Sequence, residues 1–241
     1  MRIALFIPCF VDQTMPKTGL AALRVLRKLG HEVAFDPRQT CCGQAPFNAG
    51  FFDQAQPLAE RFIRLFAPAE VVVGVSGSCV AMVRHGYGEL DLSGSVQRDW
   101  EALRGRVYEF TEFLVDVLGV TDLGVRFSHR VAIHNSCHAL RELGISRQPR
   151  ALLQAVEGLE LVEVPGVDEC CGFGGVFSAK YPALSNRIAD RRASRLAEAA
   201  PEYVAGVDDA CLQNLKEAFR RRGHTVQTLH VARILERNYE L

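Results

Sequence analysis

The chain has 241 residues, 28 basic against 28 acidic side chains, 23% charged residues and 48% hydrophobic ones. That balance excludes a disordered polyelectrolyte and argues against a dedicated nucleic-acid or anionic-membrane binder, which carries a basic excess or patch. The length suffices for one large domain or for two of about 120 residues, each with a core of its own.

The first apolar run, Ile3 to Val11, is broken by Pro8 and is far shorter than the ~20 residues that span a bilayer. Preceded only by Arg2 and followed by Asp12 and Gln13, it lacks the features of a signal peptide, so the expectation is a cytoplasmic protein with reduced cysteines. Within that run, Ile3 to Ile7 reads as a strand. Gly19 to Leu29 has helical spacing, with Leu20, Leu23 and Leu26 on one side, Arg24, Arg27 and Lys28 on the other, and Gly30 as the stop. A second strand is expected over His31 to Phe35 and a helix over Phe51 to Phe66. Val71 to Val75 is continuously apolar, the mark of a strand buried on both faces. Glu109 to Leu118 reads as a closing helix. Val131 to Ile133 opens the second half as a strand, and Thr228 to Glu236 is expected to close it as a helix. Arg191, Arg192 and Arg195 read as the solvated face of a helix, and Arg220 to Arg222 with Gly223 as a helix end.

The eight cysteines reveal a duplication. Cys9, Cys41, Cys42 and Cys79 recur as Cys137, Cys170, Cys171 and Cys211, at offsets of 128 to 132 residues. Ile3 to Cys9 aligns without gaps on Val131 to Cys137, Ala22 to Gly43 on Ala151 to Gly172, and Val71 to Cys79 on Tyr203 to Cys211. Strands alternating with helices then predict an α/β fold of two pseudo-symmetric repeats, each a small parallel sheet flanked by helices. The expected units are residues 1–124 and 125–241.

Every cysteine falls just after an expected strand, and loops at the carboxyl ends of parallel strands form the usual ligand crevice. Four convergent thiolates per half suit tetrahedral zinc or an iron–sulfur cluster. Adjacent cysteines such as Cys41 and Cys42 reach different atoms of a polynuclear cluster more easily than one ion. Gly43 and Gly172 follow each pair and permit a positive φ. The blander alternatives are buried structural thiols and a redox dithiol. His134 and His138 flank Cys137, where the first half has Phe6 and Phe10; with Asp208 they are candidates for ligation, hydrogen bonding to a cluster or proton transfer. This polarity favours the second half as the more functional site.

The duplicated pattern resembles the CCG cysteine-rich domain family, which includes the cysteine-rich subunit of heterodisulfide reductase and the iron–sulfur subunit of glycolate oxidase. Ser76 to Cys79, Asn135 to His138 and Cys170 to Gly175 look most like its lactate-utilization members. The resemblance implies an iron–sulfur subunit, inactive alone, of a multi-protein system oxidising L-lactate to pyruvate. It also implies a ferredoxin-like iron–sulfur subunit and a third lactate-utilization subunit as partners. One or two [4Fe-4S] clusters on the eight cysteines are expected, with zinc as the alternative cofactor. A zinc-stabilised interaction subunit and a glycolate, other 2-hydroxy-acid or heterodisulfide oxidoreductase subunit are the rival functions. The fullest form of the family motif has a fifth cysteine per repeat; here Ser76 and Asp208 stand in those places.

Overall fold

The computed structural model describes residues 1–236, so residues 237–241 of the expected second unit lie outside the described residues. The first half runs β1 (Arg2–Phe6), α1 (Cys9–Thr14), α2 (Pro16–Lys28), β2 (Glu32–Ala34), α3 (Gln44–Asn48), α4 (Phe52–Phe66), β3 (Val71–Gly74), α5 (Gly77–Arg84), α6 (Gly94–Arg104), β4 (Val107–Glu109) and α7 (Phe110–Glu112). A π-helical turn over Phe113–Val117 extends α7. The second half repeats the plan with β5 (Arg130–Ile133), α8 (Cys137–Arg141), α9 (Arg147–Gln154), β6 (Glu160–Val162), α10 (Val176–Lys180), α11 (Pro182–Glu198), β7 (Tyr203–Gly206), α12 (Asp209–Arg221), β8 (Gln227–His230) and α13 (Val231–Leu235).

Both sheets are four-stranded and parallel, ordered β2-β1-β3-β4 and β6-β5-β7-β8. The chain leaves β1 toward one edge and returns to pair β3 on the other side of β1. The strand order therefore reverses between β1 and β3, and likewise between β5 and β7. Loops diverge at such a switch point and open a crevice at the carboxyl ends of the strands.

Strand alternation sends side chains to two different cores. Ile3, Leu5, Val71 and Val73 of the first sheet join Val131, Ile133 and Ala205 of the second in one central core. Phe6 and Val72 point the opposite way, into a core with Phe62, Tyr87 and Trp100. Ala132 and Val204 point away from the centre toward Ala189, Leu212 and Phe219. Helices of both halves fill the middle: α2 packs on α13, and α7 packs on α9. These two contacts are exchanged by the pseudo-twofold relation. The repeats thus share a core, whereas the length alone is equally compatible with two independent ones.

The structure corrects four readings. Thr228 to His230 is strand, and only Val231–Leu235 is the closing helix. The edge strands β4 and β8 were not expected; runs of three and four residues carry no usable period, and pairing to β3 and β7 decides their state. On α2 the buried residues are Thr18, Gly19, Ala21, Ala22, Val25 and Leu26, while Leu20 is 46% exposed. Small residues face inward because the helix sits close to its neighbours: a Cβ on Gly19 would lie 2.6 Å from Ile7 Cδ1. Arg192 is buried, with its guanidinium donating to the carbonyls of Pro165 and Gly166 at 3.1 and 2.8 Å.

The ends of the two sheets differ in one polar detail. Glu109 caps α7, its Oε2 accepting from the backbone N–H groups of Thr111 and Glu112 at 2.7 and 3.2 Å. His230 caps α13 at the corresponding point, its Nδ1 accepting from the Ala232 N–H at 3.1 Å. Glu109 is fully buried and its Oε1 has no partner, and this burial pushes its pKa up to about 8 despite the capping bonds. The folded state therefore holds a proton that the unfolded chain has already released above its ordinary carboxyl pKa. Stability from this group is complete below about 4.5 and declines as pH rises through about 8. Glu109→Gln is expected to flatten that decline, as read by denaturant unfolding at pH 5 and pH 8.5 compared with the parent.

Candidate metal centre

The cysteines enter the crevice from three loops per half. Cys9 and Cys137 are the first residues of α1 and α8. Cys79 and Cys211 stand in the first turns of α5 and α12. Each therefore sits at the electropositive end of a helix, an arrangement that favours thiolate. Cys41–Cys42 and Cys170–Cys171 come from the loops after β2 and β6.

All eight thiols are free. Within each quartet they touch one another. Cys41 accepts hydrogen bonds from the thiols of Cys42 and Cys9, and the Gly43 N–H adds another at 3.3 Å; its pKa falls to about 3. Cys170 receives the same treatment from Cys137, Cys171 and the Gly172 N–H, and its pKa falls to about 2. The donors move the other way: hydrogen bonding and then burial push Cys9 and Cys137 up. Cys42 and Cys171, almost wholly buried, also rise, through hydrogen bonds to both neighbouring thiols and then burial. One thiolate per quartet is thus stable by itself. Four need a cation among them.

Local geometry fixes the vicinal pairs. Gly43 and Gly172 adopt φ of +85° and +82°. A Cβ on Gly172 would also lie 2.6 Å from the Ser185 carbonyl oxygen of α11, so glycine is needed for close helix packing as well as for the turn. The carbonyl of Cys42 accepts from the Tyr87 hydroxyl at 2.9 Å, and that of Cys171 from Asn214 Nδ2 at 2.8 Å. Tyr87 and Asn214 are supporting residues that sequence reading missed, because they belong to different elements in the two halves and leave no repeated signal.

Both quartets line a single cavity of about 380 Å³, together with Phe10, Phe173, Ser78, His138 and Asp209. Phe10 from one half and Phe173 from the other meet edge to face at 5.6 Å. His138 borders the cavity with Nδ1 3.6 Å from Cys137 Sγ and Nε2 3.6 Å from Glu142. His134 lies deeper, 2% exposed, and one of its ring nitrogens lies within 4.8 Å of the sulfurs of Cys171 and Cys211. Burial, helped by the positive charge of Arg192, lowers its pKa to about 3 and keeps the imidazole neutral.

Asp208 occupies the N-cap position of α12 but caps the other half's helix. Its Oδ1 accepts from the hydroxyls of Ser76 at 2.5 Å and Ser78 at 2.9 Å, and both carboxylate oxygens accept from the Ser78 N–H at 3.1 Å. A backbone bond from the Gly77 N–H to the Val207 carbonyl at 3.2 Å runs alongside. Ser76 and Asp208, equivalent positions of the two repeats, therefore meet on the pseudo-twofold axis.

The donor sets, thiols held in mutual contact with an unpartnered imidazole beside one quartet, fit a thiophilic metal or an iron–sulfur cluster. The cysteine-rich domain family (CCG) matches residues 3–84 and 131–216. Lactate utilization protein A of Oceanobacillus iheyensis is 41% identical over 244 residues, covering 100% of this chain and 98% of that protein. Its namesake in Geobacillus kaustophilus is 39% identical over 237 residues, with 98% of each chain covered. A hypothetical protein from Helicobacter pylori of known structure superposes with a TM-score of 0.63 at 11% identity. It shows the fold alone, and this chain, covered fully, spans about half of it (49%). Two cysteine-rich domains in tandem define the class of protein. Within that class, the chain belongs to the lactate utilization protein A family.

Removing the carboxylate across the axis takes away the acceptor of the buried Ser76 hydroxyl, of the Ser78 hydroxyl and of the Ser78 N–H, leaving the two hydroxyls only each other at 3.2 Å. Asp208→Ala is expected to lower unfolding free energy by about 1–3 kcal/mol, measured by chemical denaturation.

Proposed function

We propose that this chain is the iron–sulfur subunit of a multi-protein system that oxidises L-lactate to pyruvate, and that it works inside the cell with other iron–sulfur and lactate-utilization subunits. The observation that carries the reading is the meeting of two thiol quartets in one cavity. Membership of the lactate utilization protein A family supports lactate as the substrate of the system. No helix of the described residues is long and apolar enough to cross a membrane.

In this reading Cys9, Cys41, Cys42 and Cys79 hold one cluster, and Cys137, Cys170, Cys171 and Cys211 hold the other. When bound, such a cluster supplies one-electron redox chemistry that side chains lack. The chain's own residues do the rest. The helix N-termini at α1, α5, α8 and α12 favour the thiolate form. Tyr87 and Asn214 hold the vicinal peptides still. Phe10 and Phe173 cover the cavity with apolar surface. His138, at the cavity wall and in reach of Glu142, can hold or pass a proton. Among the described residues, neither arginine nor lysine lines the cavity, so no guanidinium or ammonium there is at hand to clamp a substrate carboxylate. That favours electron transfer, with the 2-hydroxy acid bound on a partner subunit.

Protein purified without oxygen is expected to be brown and to contain iron and acid-labile sulfide, and Cys171→Ala is expected to lose about half of each. Colourless protein with stoichiometric zinc would instead support a structural metal role. A strain lacking this chain should fail to grow on L-lactate while growing on glucose. Normal growth on lactate with a defect on glycolate would move the substrate to another 2-hydroxy acid.

A further inference from the structure

We propose that His134 supplies a nitrogen ligand to the second centre, so that the two centres are chemically unequal: sulfur alone in the first half, sulfur plus imidazole in the second. The inference rests on the reading of the quartets as iron–sulfur centres.

His134 follows directly after β5, at the root of the loop that carries Cys137. It is 2% exposed, and neither Nδ1 nor Nε2 has a hydrogen-bond partner. A buried imidazole with both nitrogens unpaired carries an uncompensated desolvation cost. A histidine kept merely for packing would have found a carbonyl or hydroxyl. A ring nitrogen lies within 4.8 Å of Cys171 Sγ and of Cys211 Sγ, the two inner thiols of its quartet. Three donors of the same half thus border one small space, where a metal centre held by the quartet would also meet the imidazole.

The first half shows what the position does without this role. Phe6, the equivalent residue, turns into the outer core against Phe62 and Phe66, with ring centroids at 4.9 and 5.8 Å. It offers no donor. Position 208, the other place from which an extra ligand could come, is turned toward Ser76 and Ser78. The extra donor of the second centre therefore comes from the end of the strand and not from the first turn of α12. A neutral imidazole adds a donor without the negative charge that a thiolate at the same position would bring, so a cysteine there would lower the reduction potential of the second centre.

The test uses the anaerobically purified full chain, reduced with dithionite and analysed by pulsed electron paramagnetic resonance. One strongly coupled nitrogen, stronger than backbone amides give, is expected. It should change isotope when histidine alone is labelled with ¹⁵N, disappear in His134→Phe and persist in His138→Gln. A redox titration followed by absorbance provides a second readout: of the midpoints observed, one is expected to fall in His134→Cys while the other stays in place. Iron and sulfide present without a strongly coupled nitrogen, or a coupling that survives in His134→Phe, overturns the ligand assignment and leaves the cluster reading intact. A weak coupling alone assigns His134 as a hydrogen-bond donor and overturns ligation. Absence of iron and sulfide overturns both. Should His134→Phe fail to fold, the isotope shift in the parent protein and the His134→Cys midpoint decide the matter.

Discussion

The structure is organised around the mutual repulsion of sulfur. Four thiols pressed together cannot all lose their protons, and in each half a single one, Cys41 or Cys170, is driven toward thiolate by its neighbours' hydrogen bonds. The cost of completing the set is met from outside the quartet, by helix N-termini and by whatever cation lies between the sulfurs. Much of the local architecture serves that end. The left-handed glycines turn the vicinal pairs, and Tyr87 and Asn214 hold the carbonyls of Cys42 and Cys171 by hydrogen bonds.

Duplication then places two such quartets face to face. The central core is drawn from both sheets, so the two halves bury apolar surface against each other. Helices exchange partners across the pseudo-twofold axis, α2 with α13 and α7 with α9 in the middle layer, α5 with α8 and α1 with α12 beside the cavity. Because α1, α5, α8 and α12 each carry a cysteine at the start, the same packing that joins the repeats also sets the distance between their sulfur sites.

Much of this was legible from residues alone. The parallel sheets, the strand ends bearing cysteine and the two repeats follow from spacing and from the continuous apolar run at Val71. The convergence of each quartet followed from the rule that crevices form at the carboxyl ends of parallel strands. What could not be read were the contacts between repeats. Nothing in the local sequence of Asp208 says that its carboxylate reaches Ser76, and nothing in the run Arg191, Arg192, Arg195 marks the middle residue as buried beneath the loop preceding Cys170. The side chain of Leu20 misled for a similar reason: helical period identifies a stripe, but α2 turns its alanines to the core because its neighbours are close. Edge strands of three or four residues fell below the length at which alternation carries information.

Consider finally the pair on the axis. A symmetric dimer made from either half by itself would bring this position against its own copy. Two aspartates there would repel without water to screen them, and two serines would leave the helix starts with weaker caps. A single polypeptide escapes the dilemma, since its halves are free to differ: an acceptor stands on one side and donors on the other. The hydroxyl–carboxylate handshake thus makes left and right non-interchangeable, and it does so at the point where a true twofold would have set a residue against its own copy.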